Sequence, residues 1–276
     1  MDKKLGKKYQ LTDETKEIVV GGKKVVLHRI QALRDIVNDE GIVIVKAGAL
    51  GGWVESGWWN LSQKGACWIY DEAKVFGRAR VCDNARVGGS AAVFQDARVC
   101  NNSMVLEHAK VYGRAEVCDS SYVRGDAEVY DRAKLNDMAK VFGQAKVYGQ
   151  AKLSWGACVY DQAKVYDRAD LRASVRVHDQ AEVYGKAQLG ENAEIFDNAR
   201  VFEGAYVSGN ARVHGNAQVY GDAQVYGFAE IYDNAKVYGG AYVYEESIIC
   251  GDREVSHGVV CDTGRFISTS ANEHGE

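Results

Sequence analysis

From Ile69 onward, every sixth residue of the chain is a branched aliphatic. The 31 positions from Ile69 to Ile249 at this spacing are all Val, Ile or Leu. Four residues after each comes a small one. Of the 30 such positions from Ala73 to Ser247, 26 are Ala and the rest are Ser103, Ser121, Val175 and Ser247. The unit reads A-x-V-x-G-x, as in Ala145-Lys146-Val147-Tyr148-Gly149-Gln150, with no insertion or deletion over about 180 residues. A six-residue step cannot be one face of an α-helix, whose period is about 3.6. Ala in, Lys out, Val in, Tyr out is the alternation of a β-strand. The two residues that follow are mostly Gly or Asp, then Asn, Gln, Arg or Asp, which suit a turn. Each hexad is therefore one short strand and one corner, and the Ala beside the corner implies a narrow interior.

The outward residue after each aliphatic sets the winding. Sorted at a spacing of 18, one register reads Phe76, Phe94, Tyr112, Tyr130, Tyr148, Tyr166, Tyr184, Phe202, Tyr220 and Tyr238, all aromatic. The second is mixed: Tyr70, Gly88, Leu106, Arg124, Phe142, Tyr160, His178, Phe196, His214 and Tyr232. The third begins Cys82, Cys100, Cys118 and ends Tyr226, Tyr244. Two or four hexads per coil would scramble this segregation. The expected fold is all-β: a triangular prism of about ten coils of three hexapeptides, with neighbouring strands ~4.8 Å apart.

Residues 1–65 lie outside the repeat and are expected to form a small N-terminal β-rich cap, since an open solenoid end exposes strand edges. Ile18-Val19-Val20, Gly21-Gly22 and Lys23 to Arg29 read as a β-hairpin, and Trp53, Trp58, Trp59 and Trp68 as a plug under the Val core. The repeat body spans 66–252. Over 253–276 the phase decays: Val255, Cys261 and Ile267 keep register, Arg253 and Arg265 occupy small-residue slots, and Thr269–Glu276 reads as a polar tail.

Composition excludes other classes. There is no proline in 276 residues, which removes collagen and Pro-rich linkers. A hydrophobic share of 46% removes wholesale disorder, and a net charge of −4 argues against a general nucleic-acid binder. Ile42 to Leu50 is interrupted by Lys46 and too short to span a bilayer. The charged start, Met1 to Lys8, leads into no apolar run, so no targeting segment is expected. Seven cysteines without paired spacing favour reduced thiols and a cytoplasmic protein.

The uninterrupted [LIV]-x-x-x-[A/S]-x tandem resembles the hexapeptide-repeat proteins, which implies a left-handed parallel β-helix. Lys46-Ala47-Gly48-Ala49-Leu50-Gly51-Gly52-Trp53-Val54-Glu55, Asn60-Leu61-Ser62-Gln63, Gly65 and Cys67-Trp68-Ile69-Tyr70 look more specifically like the YdcK-type branch. That branch comprises bacterial and phage proteins, some labelled acetyltransferases. In acyltransferases of the superfamily a His at a subunit cleft acts as general base, commonly beside a loop extruded from the coils. Here no loop interrupts the coils and no catalytic His motif is matched, so no catalytic residue is carried over. Under an acyltransferase reading, with an acyl-CoA donor, His178 or His214 facing a neighbouring subunit is the candidate base.

The aromatic register is the leading candidate site. Its flanking column, which includes Lys146 and Lys164, gives that face a net positive charge. Three readings stand side by side: a self-stabilising ladder, a subunit interface, and a platform for a planar anion. Gln144, Gln162, Gln180, Asn198, Asn216 and Asn234 line one corner and read as a structural amide stack. Cys82, Cys100 and Cys118 form a column within disulfide range but are expected to be reduced, and no metal site is expected. There is no P-loop, HExxH or G-x-S-x-G. The leading expectation is a non-catalytic scaffold or binding protein without a cofactor. It would form a homo-oligomer, dimer or trimer, through the ladder face, with a protein partner as a further option. The alternatives are an acyl-CoA-dependent O/N-acyltransferase and a phage-type sequestering protein for a small nucleotide-like anion or a host factor. Neither nucleic acid nor a membrane is an expected partner.

Overall fold

The computed structural model describes residues 6–261 and the backbone of 265–267. The expected polar tail lies outside the described residues. Two compact units emerge, Met1–Gly149 and Gln150–Glu276. Both are built of parallel β-solenoid coils, about 12 turns in total, and among the described residues there is no helix. Accordingly, none is long and apolar enough to cross a membrane.

Unit 1 opens with β1 (Tyr9–Val20) and β2 (Lys23–Ala32), an antiparallel hairpin closed by Gly21 and Gly22 at φ 55° and 78°. A two-residue turn with both positions left-handed is the type that follows strand twist, and it favours Gly-Gly. A short antiparallel pair follows, β3 (Ile36–Val37) and β4 (Val43–Val45), and then β5 (Leu50–Val54). β5 is the adapter. One edge pairs antiparallel with β2 (Arg29↔Trp53), and the other pairs parallel with the first rung of the solenoid (Trp53↔Lys74, Val54↔Val75). Only glycine fits at Gly51 and Gly52, where a Cβ would lie 2.7 Å from the Ile69 carbonyl oxygen and 2.5 Å from that of Ala73, respectively.

β5, Leu61 (bridged to Val81) and Trp68–Ile69 (paired with Arg86–Val87) together make a first coil of irregular length. This coil and a closing one raise the turn count above the ten expected from the ladder alone. The rungs beyond it pair in strict 18-residue register, for example Val111↔Val129↔Val147 in unit 1 and Val183↔Val201↔Val219 in unit 2. The inward Val and Ala of the hexads form the core and are buried throughout.

The corners explain the Gly/Asp alternation. Asp131 and Gly149 both take left-handed backbone, φ 57° and 68°. The Asp131 carboxylate accepts the Gly149 N–H at 3.2 Å. Gln95 and Gly113 (2.7 Å), Glu107 and Gly125 (2.8 Å), and in unit 2 Asp197 and Gly215 (3.0 Å) repeat the device. A side-chain acceptor thus caps a corner donor one coil on, meeting the need of a backbone N–H that the rungs do not use.

Several expectations need correcting. Trp53 and Trp68 are buried as expected, but Trp58 is 78% exposed and Trp59 half-exposed. Trp59 donates its indole N–H to the Arg78 carbonyl at 3.0 Å and lies under the Arg80 guanidinium, outside the core. At the far end the register slips by one: Val243 pairs with Val260, so Val260 rather than Cys261 points inward. Gly258, at φ 83°, makes the shorter step possible. Arg265–Ile267 then returns antiparallel on Val259–Cys261 and does not continue the coil. Finally, Cys100 and Cys118 are joined in a disulfide, with their Cα atoms 4.8 Å apart. Parallel rung spacing falls inside the disulfide window, so the column geometry that was expected to leave these thiols reduced brings them together. Cys82, the third member, is free and contacts Asp83 at 3.4 Å. With a disulfide at Cys100 and Cys118, cysteine usage no longer argues for a compartment.

Candidate functional site

The outward aromatics stack within each unit. In unit 1, Phe76, Phe94, Tyr112, Tyr130 and Tyr148 have ring centroids 4.8–5.1 Å apart and planes within 7° of parallel. In unit 2, Tyr166, Tyr184, Phe202, Tyr220 and Tyr238 repeat this at 4.8–4.9 Å. The spacing is the strand separation, so ring stacking follows directly from rung pairing. Stacking half-buries the rings, leaving their edges and hydroxyls outward. Burial, and then the neighbouring Tyr148, push the Tyr130 phenol up to about 12. Burial and a hydrogen bond to Glu128 also raise Tyr112. Tyr112 and Tyr130 therefore carry no phenolate charge at neutral pH.

The first ring of the column is already occupied. Phe76 packs with Leu27 and Trp53, and Ile18, Val20, Val25 and Phe94 pack against that cluster. The apolar face of the hairpin thus packs on the cluster that holds Phe76, the first ring, and Phe94 flanks the same cluster. The arrangement is held by Lys16 and Arg29 over the Trp53 ring (5.1 and 5.2 Å) and by Glu72, which accepts from Lys16 at 2.8 Å and from the Trp53 indole at 3.1 Å. The Lys16 hydrogen bond holds the Glu72 carboxyl below its ordinary range. Sequence reasoning placed the hairpin in the cap but missed where it docks, because nothing in the hexad phase records it.

Three of the basic residues beside the columns, Lys110, Lys164 and Lys236, are paired along the stack. Lys110 meets Glu128 at 3.2 Å, and Tyr112 donates to the other oxygen of that carboxylate at 3.0 Å. Lys164, Tyr166 and Glu182 repeat the clamp at 2.8 and 3.3 Å, and Lys236, Tyr238 and Glu254 at 2.7 and 3.4 Å. Burial works against ionised Glu128, yet its bonds from Lys110 and Tyr112 hold it below the usual carboxylate range. Lys146 is exposed. The cationic strip read from the sequence is thus neutralised by ion pairs at Lys110, Lys164 and Lys236.

The register read as mixed becomes a second continuous column in unit 2: Tyr160, His178, Phe196, His214 and Tyr232 stack at 4.5–5.2 Å. Counting imidazole as a ring would have revealed it. Both candidate histidines carry carboxylate partners. His178 places Nε2 3.4 Å from Glu194 and Nδ1 3.0 Å from Asp179. His214 places Nε2 3.1 Å from Glu230 and Nδ1 3.8 Å from Asp197. The acids are tied in turn: Glu194 lies between Arg176 (2.9 Å) and Arg212 (3.3 Å), and Arg212 reaches Glu230 at 3.1 Å. Arg176 holds Glu194 low against the opposing effect of burial.

Beside this column a shallow polar depression is lined by Asp179, Gln180, Asp197, Asn198, Gly215 and Asn216. The amide line behaves as structure here, with Asn216 donating to Asn234 at 3.1 Å. Asp161, His178 and Asp179 place ligand-type atoms within 4.8 Å of one another. Their carboxylates are exposed and all come from one outer wall, whereas a structural metal needs ligands converging from several sides. A general base needs a lone pair facing its substrate, and at His178 both ring nitrogens already face acids.

Residues 205–221 match the family model described as the YdcK beta solenoid repeat. A stretch of 90 residues is 39% identical to the "Uncharacterized acetyltransferase YdcK" of Escherichia coli (strain K12) and covers 31% of this chain and 26% of that relative. The similarity thus spans about a quarter of the relative's length. The solenoid repeat is of the YdcK type.

Proposed function

We propose that the chain is a non-catalytic β-solenoid scaffold that self-associates through its tyrosine column. The observation that carries this reading is the docked hairpin: Leu27 clusters with Trp53 and Phe76, and Ile18, Val20 and Val25 pack against that cluster. The column therefore already accepts an apolar β-surface. Tyr112, Tyr130 and Tyr148 continue it at the same spacing, with apolar ring edges and hydroxyls, a combination suited to interfaces. Ion-paired lysines beside the rings favour a protein surface over a free anion.

Light scattering tests this reading: the expected result is a mass at a multiple of 30.3 kDa. The triple change Tyr112→Ser, Tyr130→Ser, Tyr148→Ser should return it to the monomer while the fold persists. A wild-type monomer at high concentration, or an oligomer indifferent to the triple change, overturns it.

The relative's printed name favours a second reading, acyl transfer. In it Glu230 would orient His214 through Nε2 and leave Nδ1 as base toward an acceptor, with an acyl-CoA donor. A thermal shift with acetyl-CoA, together with release of free coenzyme A thiol that is lost in His214→Gln, would establish it. Absence of both leaves the scaffold.

A further inference from the structure

Away from the aromatic columns, unit 1 buries an amine against a thiol. Lys8 and Cys67 are both 0% exposed. Lys8 Nζ lies 3.2 Å from Cys67 Sγ, inside a ring of three carbonyls: Lys64 (3.3 Å), Gly65 (3.3 Å) and Cys67 itself (3.0 Å). Among the described residues, none of its hydrogen-bond partners is a carboxylate. The residue is fixed from both sides. Its backbone N–H donates to Gln63 Oε1 at 2.7 Å, and the next residue, Tyr9, sets its hydroxyl against the Gly57 and Leu61 carbonyls and its ring edge-on to Trp68. Among the described residues, the thiol otherwise meets the carbonyls of Ser62, Lys64 and Val81, at 3.6–3.7 Å. Burial lowers the Lys8 amine and raises the Cys67 thiol. Both effects favour the uncharged pair, in which the amine keeps a lone pair.

We propose that Lys8 and Cys67 form a covalent N–O–S bridge when the protein meets peroxide. In the first step one peroxide O–O bond breaks, an S–O bond forms, and Cys67 becomes a sulfenic acid with release of one water. In the second, a second peroxide takes up two electrons. The Nζ–O bond forms to the sulfenic oxygen, and the amine and sulfenic hydrogens leave with the reduced peroxide as two waters. In sum, amine, thiol and two peroxides give the bridge and three waters. The carbonyls around the sulfenic acid carry no hydrogen to give up, so the Lys8 amine is the group in contact with it from which the second peroxide can take hydrogen. Exposed Gly6 and Lys7 place solvent one residue away. The bridge joins positions 59 residues apart and clasps the start of β1 to the first coil.

The test is peptide mapping of the full chain after hydrogen peroxide, digested at acidic residues without reductant. A linked pair containing Lys8 and Cys67 is expected, about 14 Da above the sum of its parts, for one oxygen gained and two hydrogens lost. Thiol reductant should separate it. The pair should be missing from Lys8→Met, from Cys67→Ser and from wild-type chain oxidised in urea. The midpoint of thermal unfolding should rise on oxidation and fall back on reduction, as for any long-loop crosslink. If natively folded wild-type protein instead yields Cys67 as free thiol, sulfinic acid or a dimedone-trapped sulfenic acid, with Lys8 unmodified, the proposal fails. Should either variant not fold, the comparison of native with urea-unfolded wild-type chain decides alone.

Discussion

The first coil of unit 1 and the regular coils after it enclose the same aliphatic core, yet they are held by different kinds of contact. In the regular coils each interaction recurs 18 residues on: Val on Val, ring on ring, corner acid on corner Gly. In the first coil almost nothing recurs. Tyr9, Trp68, Leu61 and Ile30 are large, fully buried side chains that meet once. Asn60, also buried, bonds the Gly77 and Ala79 carbonyls at 3.1 and 2.9 Å through its amide N–H groups and accepts from the Ser56 N–H at 2.7 Å. A periodic array spreads its stability over many similar interfaces, whereas an end must satisfy its open rung edge with single contacts.

That contrast can be broken most forcefully from within the array. Val129→Asp puts an unpaired carboxylate between Val111 and Val147, where side chains are fully buried. The expected loss is about 5 kcal/mol or more, seen as a lowered urea midpoint and early hydrogen exchange in the adjoining coils. Wild-type stability would mean that the inward assignment is mistaken. Next in size is Trp68→Ala in the first coil, expected to cost about 3–5 kcal/mol. Because Trp68 has no counterpart one coil on, the loss should appear first as exchange in β1, β2 and β5, and exchange confined to the later coils would erase the distinction between the two regions. The smallest effect has the opposite sign. Ser103 and Ser247 stand in Ala slots and bond nearby carbonyls (Ser103 to Cys100 and Val117 at 2.6 and 2.9 Å), while the buried Ser121 hydroxyl finds no partner. Ser121→Ala should therefore stabilise by about 1 kcal/mol. A destabilisation in calorimetry would show that the hydroxyl is satisfied.

Much of the molecule was legible beforehand. The hexad gave the inward Val and Ala, the corners and the winding, and with them the stacked column from Phe76 to Tyr148 in unit 1. The second column, with His178 and His214, was equally present but hidden by sorting residues as apolar or polar when ring shape mattered. The Cys100–Cys118 bond was misjudged for a geometric reason. Spacing along a column is periodic and readable, whereas rotation of two side chains toward each other is not. The docking of Ile18, Val20, Val25 and Leu27 on the ladder, the burial of Lys8 against Cys67 and the one-residue slip at Val260 left no trace in the repeat.

The sequence by itself determined everything that repeats, because a strand of alternating side chains and a left-handed corner every six residues admits one way of stacking. Only the tertiary structure decided how the array begins and ends, which rungs of the ladder stay uncovered and which carboxylates flank the histidines. Those outcomes depend on surfaces meeting once, over long separations in the chain, where the free energy comes from the shape and charge of both partners and no period in either segment encodes it.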